Sequence, residues 1–158
     1  MRRYRQALSQ EACIDVLKRG SNGVLSLIVG DREPYGVPLS YVFHAGNIYF
    51  HSIGEGRKIE AIDAWRRASF VVVDLDQIDS ANYTSLFRSV IVGGTITRVD
   101  GKEWTAAFDA LCDKYSPDRP KDERREQVRS CTKAVGLKLT VSTMTGKEAK
   151  ELAGVSYQ

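Results

Sequence analysis

The sequence predicts a mainly β chain with peripheral helices, folded as a small closed or half-closed antiparallel barrel. Three observations predict it. From Gly23 the chain reads GVLSLIVGDREPYGVPLSYVFHAGNIYFHS, three runs rich in Val, Leu, Ile, Tyr and Phe separated by Gly-Asp-Arg-Glu-Pro and by Ala-Gly-Asn. SFVVVDL (69–75), SVIVGGTITRVD (89–100) and AVGLKLTVSTMTGK (134–147) bring the count to about six strands. Helices do not alternate regularly with them, and the one strand–helix–strand crossover falls within 48–75, so a doubly wound sheet is excluded.

Each element has its own signal. Ser9 can cap a short helix that runs to Lys18 or Arg19 and stops at Gly20, with Cys13, Val16 and Leu17 turned inward. Ala-Gly-Asn is short enough for a tight hairpin between strands at 37–44 and 48–52. Pro38 has no N–H for a ladder and marks an edge, a bulge or a place where the strand faces something other than a neighbouring strand. Ile59, Ile62 and Trp65 recur at helical spacing among charged residues, predicting a helix over 55–67 with Trp65 in the core. Gly93-Gly94 is where a long strand can bend. Trp104, Ala107, Phe108, Leu111 and Tyr115 form the stripe of a last helix ending near Pro117, with Trp104 in the core. With no linker or repeat in 158 residues, one domain spanning 1–158 is expected.

Composition narrows the function classes. Hydrophobic residues at 42 % and charged residues at 27 % are ordinary for a soluble globular domain. Cys13, Cys112 and Cys131 are odd in number and far apart, which points to a reduced, cytoplasmic protein and to no metal site. No apolar run is long enough to span a bilayer, and Met1-Arg2-Arg3-Tyr4-Arg5 is not followed by a signal-peptide core, so neither membrane nor export is expected. A net charge of +3 does not argue for nucleic acid. A basic barrel binding DNA or RNA would rest only on Arg2, Arg3 and Arg5, because the cluster over 121–133 is mixed with Asp122, Glu123 and Glu126 and reads as a solvated face. Cys112 has no evident base, and no Ser/His/Asp set or carboxylate pair appears at recognisable spacing.

YFHSIGEGRKIEAI, residues 49–62, carries the most chemistry. A helix starting after a glycine turn aims unpaired N–H groups and a partial positive charge at the space before it. Gly54 and Gly56 permit close approach, Ser52 adds a hydroxyl, and Arg57 and Lys58 add two cations in the first turn. Cations there oppose the helix dipole, a conflict that an external anion would resolve and Glu55 partly offsets. On local chemistry alone, a solvated helix start and an anion site fit equally. The spacing matches neither a P-loop nor Gly-x-Gly-x-x-Gly.

The order GVLSL, then PYGVPLSYVF, then IYFHSIGEGRKI, with a late TGK after the last strand, resembles the pyridoxamine-5′-phosphate-oxidase-like FMN-binding split barrels. The likeness covers nearly the whole chain and is closest to the branch related to nitroimidazole-resistance (Nim) proteins. It implies a six-stranded antiparallel split β-barrel, a homodimer, and FMN as the cofactor. Carried over to this sequence, Arg57 and Lys58 would hold the phosphate with Ser52 nearby, and Val37, Pro38, Leu39 and Ser40 would run along the ring system. His51 would be the active-site histidine, whereas His44 only flanks a turn. Tyr83, Ser85 and Ser89 would reach the flavin of the second subunit. The implied activity is FMN-dependent reduction of a small acceptor such as a nitroaromatic compound, with NAD(P)H as the electron donor. The alternative is a non-catalytic flavin- or haem-binding sensor or store. The arginine-containing C-terminal substrate segment of a true pyridoxamine phosphate oxidase is absent from this sequence, which argues against that particular reaction.

Overall fold

The computed structural model describes residues 6–130 and 134–153, excepting the side chains of 127–129; Arg2, Arg3, Arg5, Cys131 and Lys133 lie outside the described residues. Helix α1 (Gln10–Arg19) starts at Ser9, whose Oγ accepts from the Ala12 N–H at 3.2 Å. It buries Cys13, Val16 and Leu17, as its spacing predicts. Gly20 ends it for reasons of space, because a Cβ there would sit 2.7 Å from Tyr41 Oη.

Seven strands follow: β1 (Asn22–Val29), β2 (Glu33–Ser40), β3 (Val42–His44), β4 (Asn47–Ile53), β5 (Arg67–Asp79), β6 (Thr84–Val99) and β7 (Ala134–Glu148). All their pairings are antiparallel, in the order β2-β1-β5-β6-β7-β4-β3. Alternation along β1 turns Leu25, Leu27 and Val29 inward, where they meet Phe50, Phe70, Val90, Val92, Ile96, Leu137 and Leu139 in the main core. The class is the mainly β split barrel with peripheral helices that the sequence implies.

The seventh strand corrects the count of six. The run expected as one strand over 37–44 is interrupted at Tyr41, whose N–H donates to Tyr115 Oη at 3.0 Å and whose carbonyl accepts from the Tyr115 hydroxyl at 2.9 Å. With both backbone groups satisfied by a side chain, Tyr41 leaves the ladder. The segment before it pairs with β1, and the segment after it with β4. The short hairpin is therefore β3–β4, closed by Ala45 (φ 47°) and Gly46 (φ 78°) as a two-residue left-handed turn. Pro38 lies on β2, an edge strand. Gly93 and Gly94 mark a register shift against β7, where a Cβ at Gly94 would come 2.0 Å from Thr140 O.

Helix α2 (Arg57–Ala64) is shorter than the expected 55–67, because Trp65 turns extended (φ −138°, ψ 107°) to feed β5. Trp65 is 48 % exposed, so its place in the core is overturned; the buried face is Ile59, Ala61 and Ile62. Helix α3 (Gly101–Tyr115) packs on the outer side of the sheet, where Trp104 joins Val42, Tyr49, Ala107 and Leu111 in a second cluster. Helix α4 (Lys121–Ser130) is polar and held by Arg124, which reaches Asp113 and the carbonyls of Pro117 and Arg119.

Candidate functional site

Helix α2 opens at Gly56, with φ 96° and no side chain to cap the first turn. A Cβ built at Gly56 would meet nothing within 4 Å, so the space before the helix is open. Ile59 and Glu60 donate to the Gly56 carbonyl, which leaves the N–H groups of Arg57 and Lys58 directed outward as a helix start requires.

The two cations of this turn differ. Arg57 Nη2 donates to Glu33 Oε2 at 3.0 Å, and its guanidinium lies 5.0 Å above the Tyr35 ring. Lys58 is half-buried and has no hydrogen bond or ion pair among the described residues. Burial pushes its pKa below the ordinary lysine value. Arg57 also borders an open groove of about 680 Å³ between α2 and the β1–β2 turn, with Glu33, Glu60, Ala61 and Ala64 along its walls.

Strand periodicity sorts the other predicted residues. On β2, Val37 and Leu39 point inward and pack, partly buried, against the core. Pro38 and Ser40 point outward and are exposed. On β4, Ser52 is buried and its hydroxyl donates to Ile53 O at 3.0 Å, whereas His51 is exposed on the outward face, in register with Gly136.

Tyr83, Ser85 and Ser89 are not brought to this site within one chain. Tyr83 ends the turn between β5 and β6 in a left-handed conformation (φ 50°), is 99 % exposed, and borders a groove with Ile78 and Ser85. The α2 end of β6 is fixed by the Ile96 N–H donating to Arg66 O at 2.7 Å. The eleven or so residues between Ser85 and Ile96 span about 35 Å of extended strand. Ser89, on the same strand, faces Val73 and Lys147 in the ladders.

Glu33, Tyr35 and Glu60 escaped the sequence reading. Their signal is weak, since nothing in a strand-opening Glu33 says that it meets an arginine 24 positions later. Among the described residues no group of three or more His, Cys, Asp and Glu side chains could hold a metal ion, and no helix is long and apolar enough to cross a membrane.

The family model for pyridoxamine 5′-phosphate oxidase matches residues 9–148, which include every element from α1 to β7. The chain belongs to the pyridoxamine 5′-phosphate oxidase family. Solved structures of the same fold include a candidate 5-nitroimidazole antibiotic resistance protein from Bacteroides thetaiotaomicron, with a TM-score of 0.73 and 18 % identity over 90 % of this chain and 86 % of that one. The FAD and haem binding protein from Mycobacterium smegmatis gives a TM-score of 0.71 at 18 % identity, covering 96 % of this chain and 81 % of that one. The flavocytochrome Anf3 from Azotobacter vinelandii gives 0.73 at 17 % identity, covering 99 % and 79 %. At such identities the likeness is one of fold. No curated protein matches the sequence. Within the pyridoxamine 5′-phosphate oxidase family fold, the residues at the start of α2 suit a phosphate: an uncapped first turn, open space before Gly56 and a half-buried lysine with no counter-ion among the described residues.

Proposed function

We propose that the protein binds FMN and acts, as a homodimer, as an oxidoreductase that reduces a small acceptor such as a nitroaromatic (nitroimidazole-type) compound, with NAD(P)H as electron donor. Lys58 carries this reading. A half-buried ammonium without a counter-charge is costly, and an anion delivered to it by a ligand removes that cost and gains a charge-assisted hydrogen bond. A phosphate at an uncapped helix start meets this demand, and membership of the family together with flavin-binding proteins of the same fold supports FMN as its bearer.

Bound FMN would supply the electron-transfer chemistry. Lys58 and Arg57 would bind the phosphate, with Ser52 near it. Pro38 and Ser40 would present side chains to the ring, and Val37 and Leu39 backbone. His51 would hold a proton for the acceptor at an exposed imidazole. Dimerisation is supported by a cross-strand row of outward residues, Pro38, Val24, Val71 and Ile91, with Val73 beside it; Val24, Val73 and Ile91 are large exposed apolar groups. A second copy on this face would also bring Tyr83, Ser85 and Ser89 from the partner to the flavin.

The test is the visible spectrum of the purified protein supplied with FMN, followed by NAD(P)H oxidation with and without a nitroaromatic acceptor. Two flavin bands and acceptor-dependent turnover are expected. Flavin bands without turnover would assign the non-catalytic role, and a haem Soret band alone or no FMN uptake would contradict the reading.

A further inference from the structure

Lys58 and Arg57 are neighbours in one helical turn, yet among the described residues only Arg57 meets a counter-charge. Arg57 meets Glu33 through a single Nη2–Oε2 contact at 3.0 Å, with side chains 57 % and 70 % exposed respectively. Such an open, one-point pair is weak and exchanges readily. Glu60, one helical turn along the same face of α2, lines the same groove, so a second carboxylate borders the space that Arg57 faces. The Tyr35 ring supports the guanidinium from beneath by a cation–π contact that does not depend on Glu33.

We infer that Glu33 is an internal competitor for Arg57: its carboxylate and the phosphate of a ligand are alternative counter-ions for one guanidinium, and Glu33 thereby lowers the affinity for phosphate-bearing ligands. The inference rests on the phosphate reading above and adds an affinity-setting residue to it. While Glu33 holds Arg57, an incoming phosphate meets Lys58 as its one uncompensated cation in the first turn. When the phosphate takes Arg57 as well, the Glu33 carboxylate returns to water, which costs little because the group is already exposed. The opposite arrangement, in which Glu33 holds Arg57 in place for the phosphate, would make Glu33 favourable for binding, so the two differ in sign.

Glu33→Gln keeps the shape and removes the charge. FMN and riboflavin are titrated by flavin fluorescence against wild type, Glu33→Gln, Arg57→Ala and the double variant, and melting temperature is followed with inorganic phosphate in the absence of flavin. Glu33→Gln should bind FMN about two- to fivefold more tightly, the effect of removing an exposed ion pair, with riboflavin unchanged. It should also show a larger phosphate-induced rise in Tm, and both gains should vanish in the Arg57→Ala background. If wild type prefers FMN but Glu33→Gln binds it equally or more weakly, the competition is wrong and the phosphate site stands. If wild type binds both flavins equally, the phosphate reading fails and takes this inference with it.

Discussion

Arg88 and Arg57 both meet carboxylates, and their surroundings make the two meetings unlike. Arg88 is 6 % exposed and donates from Nη1 to Asp74 at 3.1 Å and from Nε to Glu148 at 3.2 Å. Asp74 in turn accepts both Nε and Nη2 of Arg19, at 2.6 and 2.7 Å. This network ties the end of α1 to β5, β6 and β7, and Asp74 sits at the register shift that lets β5 present it. Arg57 touches one exposed carboxylate and borders open space. Removing a partner from the first set strands a charge in the interior; removing one from the second exposes it to water. The same chemical pair thus serves as a structural joint in one place and as an exchangeable contact in the other.

The largest effect should come from breaking the joint. Arg88→Met takes the guanidinium away from Glu148 and leaves Asp74 with Arg19 alone, and urea unfolding should show a loss of about 3–5 kcal/mol. Glu33→Gln, measured in the same way, should stay within about 0.5 kcal/mol of wild type. Equal losses would erase the contrast. The network also has a pH signature. Burial pushes the Asp74 carboxyl up, but the hydrogen bonds and charges of Arg19 and Arg88 outweigh it and hold the pKa below the ordinary carboxylate value. For an acid with a depressed folded pKa, the stabilisation is present above its unfolded value and is lost as pH falls through the folded one. The acid limb of the stability curve should therefore be shallower in Asp74→Asn.

A smaller effect belongs to Lys114 on α3, whose ammonium donates to Gly20 O and lies 4.1 Å from the centre of the Tyr41 ring. Burial lowers its pKa from 10.5 to about 8. Between those values the unfolded chain binds the extra proton, so the contribution of Lys114 to stability rises with pH across that window. Comparing wild type with Lys114→Met over pH 8–10.5 isolates this contribution from the cysteines and tyrosines that titrate alongside it. The variant should lose the rise, and identical slopes would contradict the shift.

Local signals were legible and distant ones were not. The Ser9 cap, the inward residues of α1, the Gly93-Gly94 shift and the edge position of Pro38 each follow from a few neighbouring residues. The Arg57-Lys58 pair was likewise visible as a conflict with the helix dipole. The break at Tyr41 was not, because it is made by Tyr115, 74 positions away. Trp65 fits the helical spacing of Ile59 and Ile62, but the chain leaves the helix at that residue to reach β5. Helix α4 has no apolar stripe to read and is fastened by Arg124 instead. Arg88 alternates inward with Val90 and Val92, and a charged residue at such a position signals a buried partner, but only the fold identifies it as Asp74 and Glu148. In the same way, the sequence presents Arg57 and Lys58 as equals, and only the fold separates them, by the position of Glu33 and by the burial of Lys58.

The central claim is that Lys58 supplies the unanswered charge for a ligand phosphate, and binding of FMN and riboflavin to wild type and Lys58→Ala tests it most directly. Wild type should prefer FMN. Loss of a charge-assisted hydrogen bond should weaken FMN by about ten- to a hundredfold and leave riboflavin nearly unchanged. Equal affinity of wild type for the two flavins, or a proportionate loss of both in Lys58→Ala, would contradict the account.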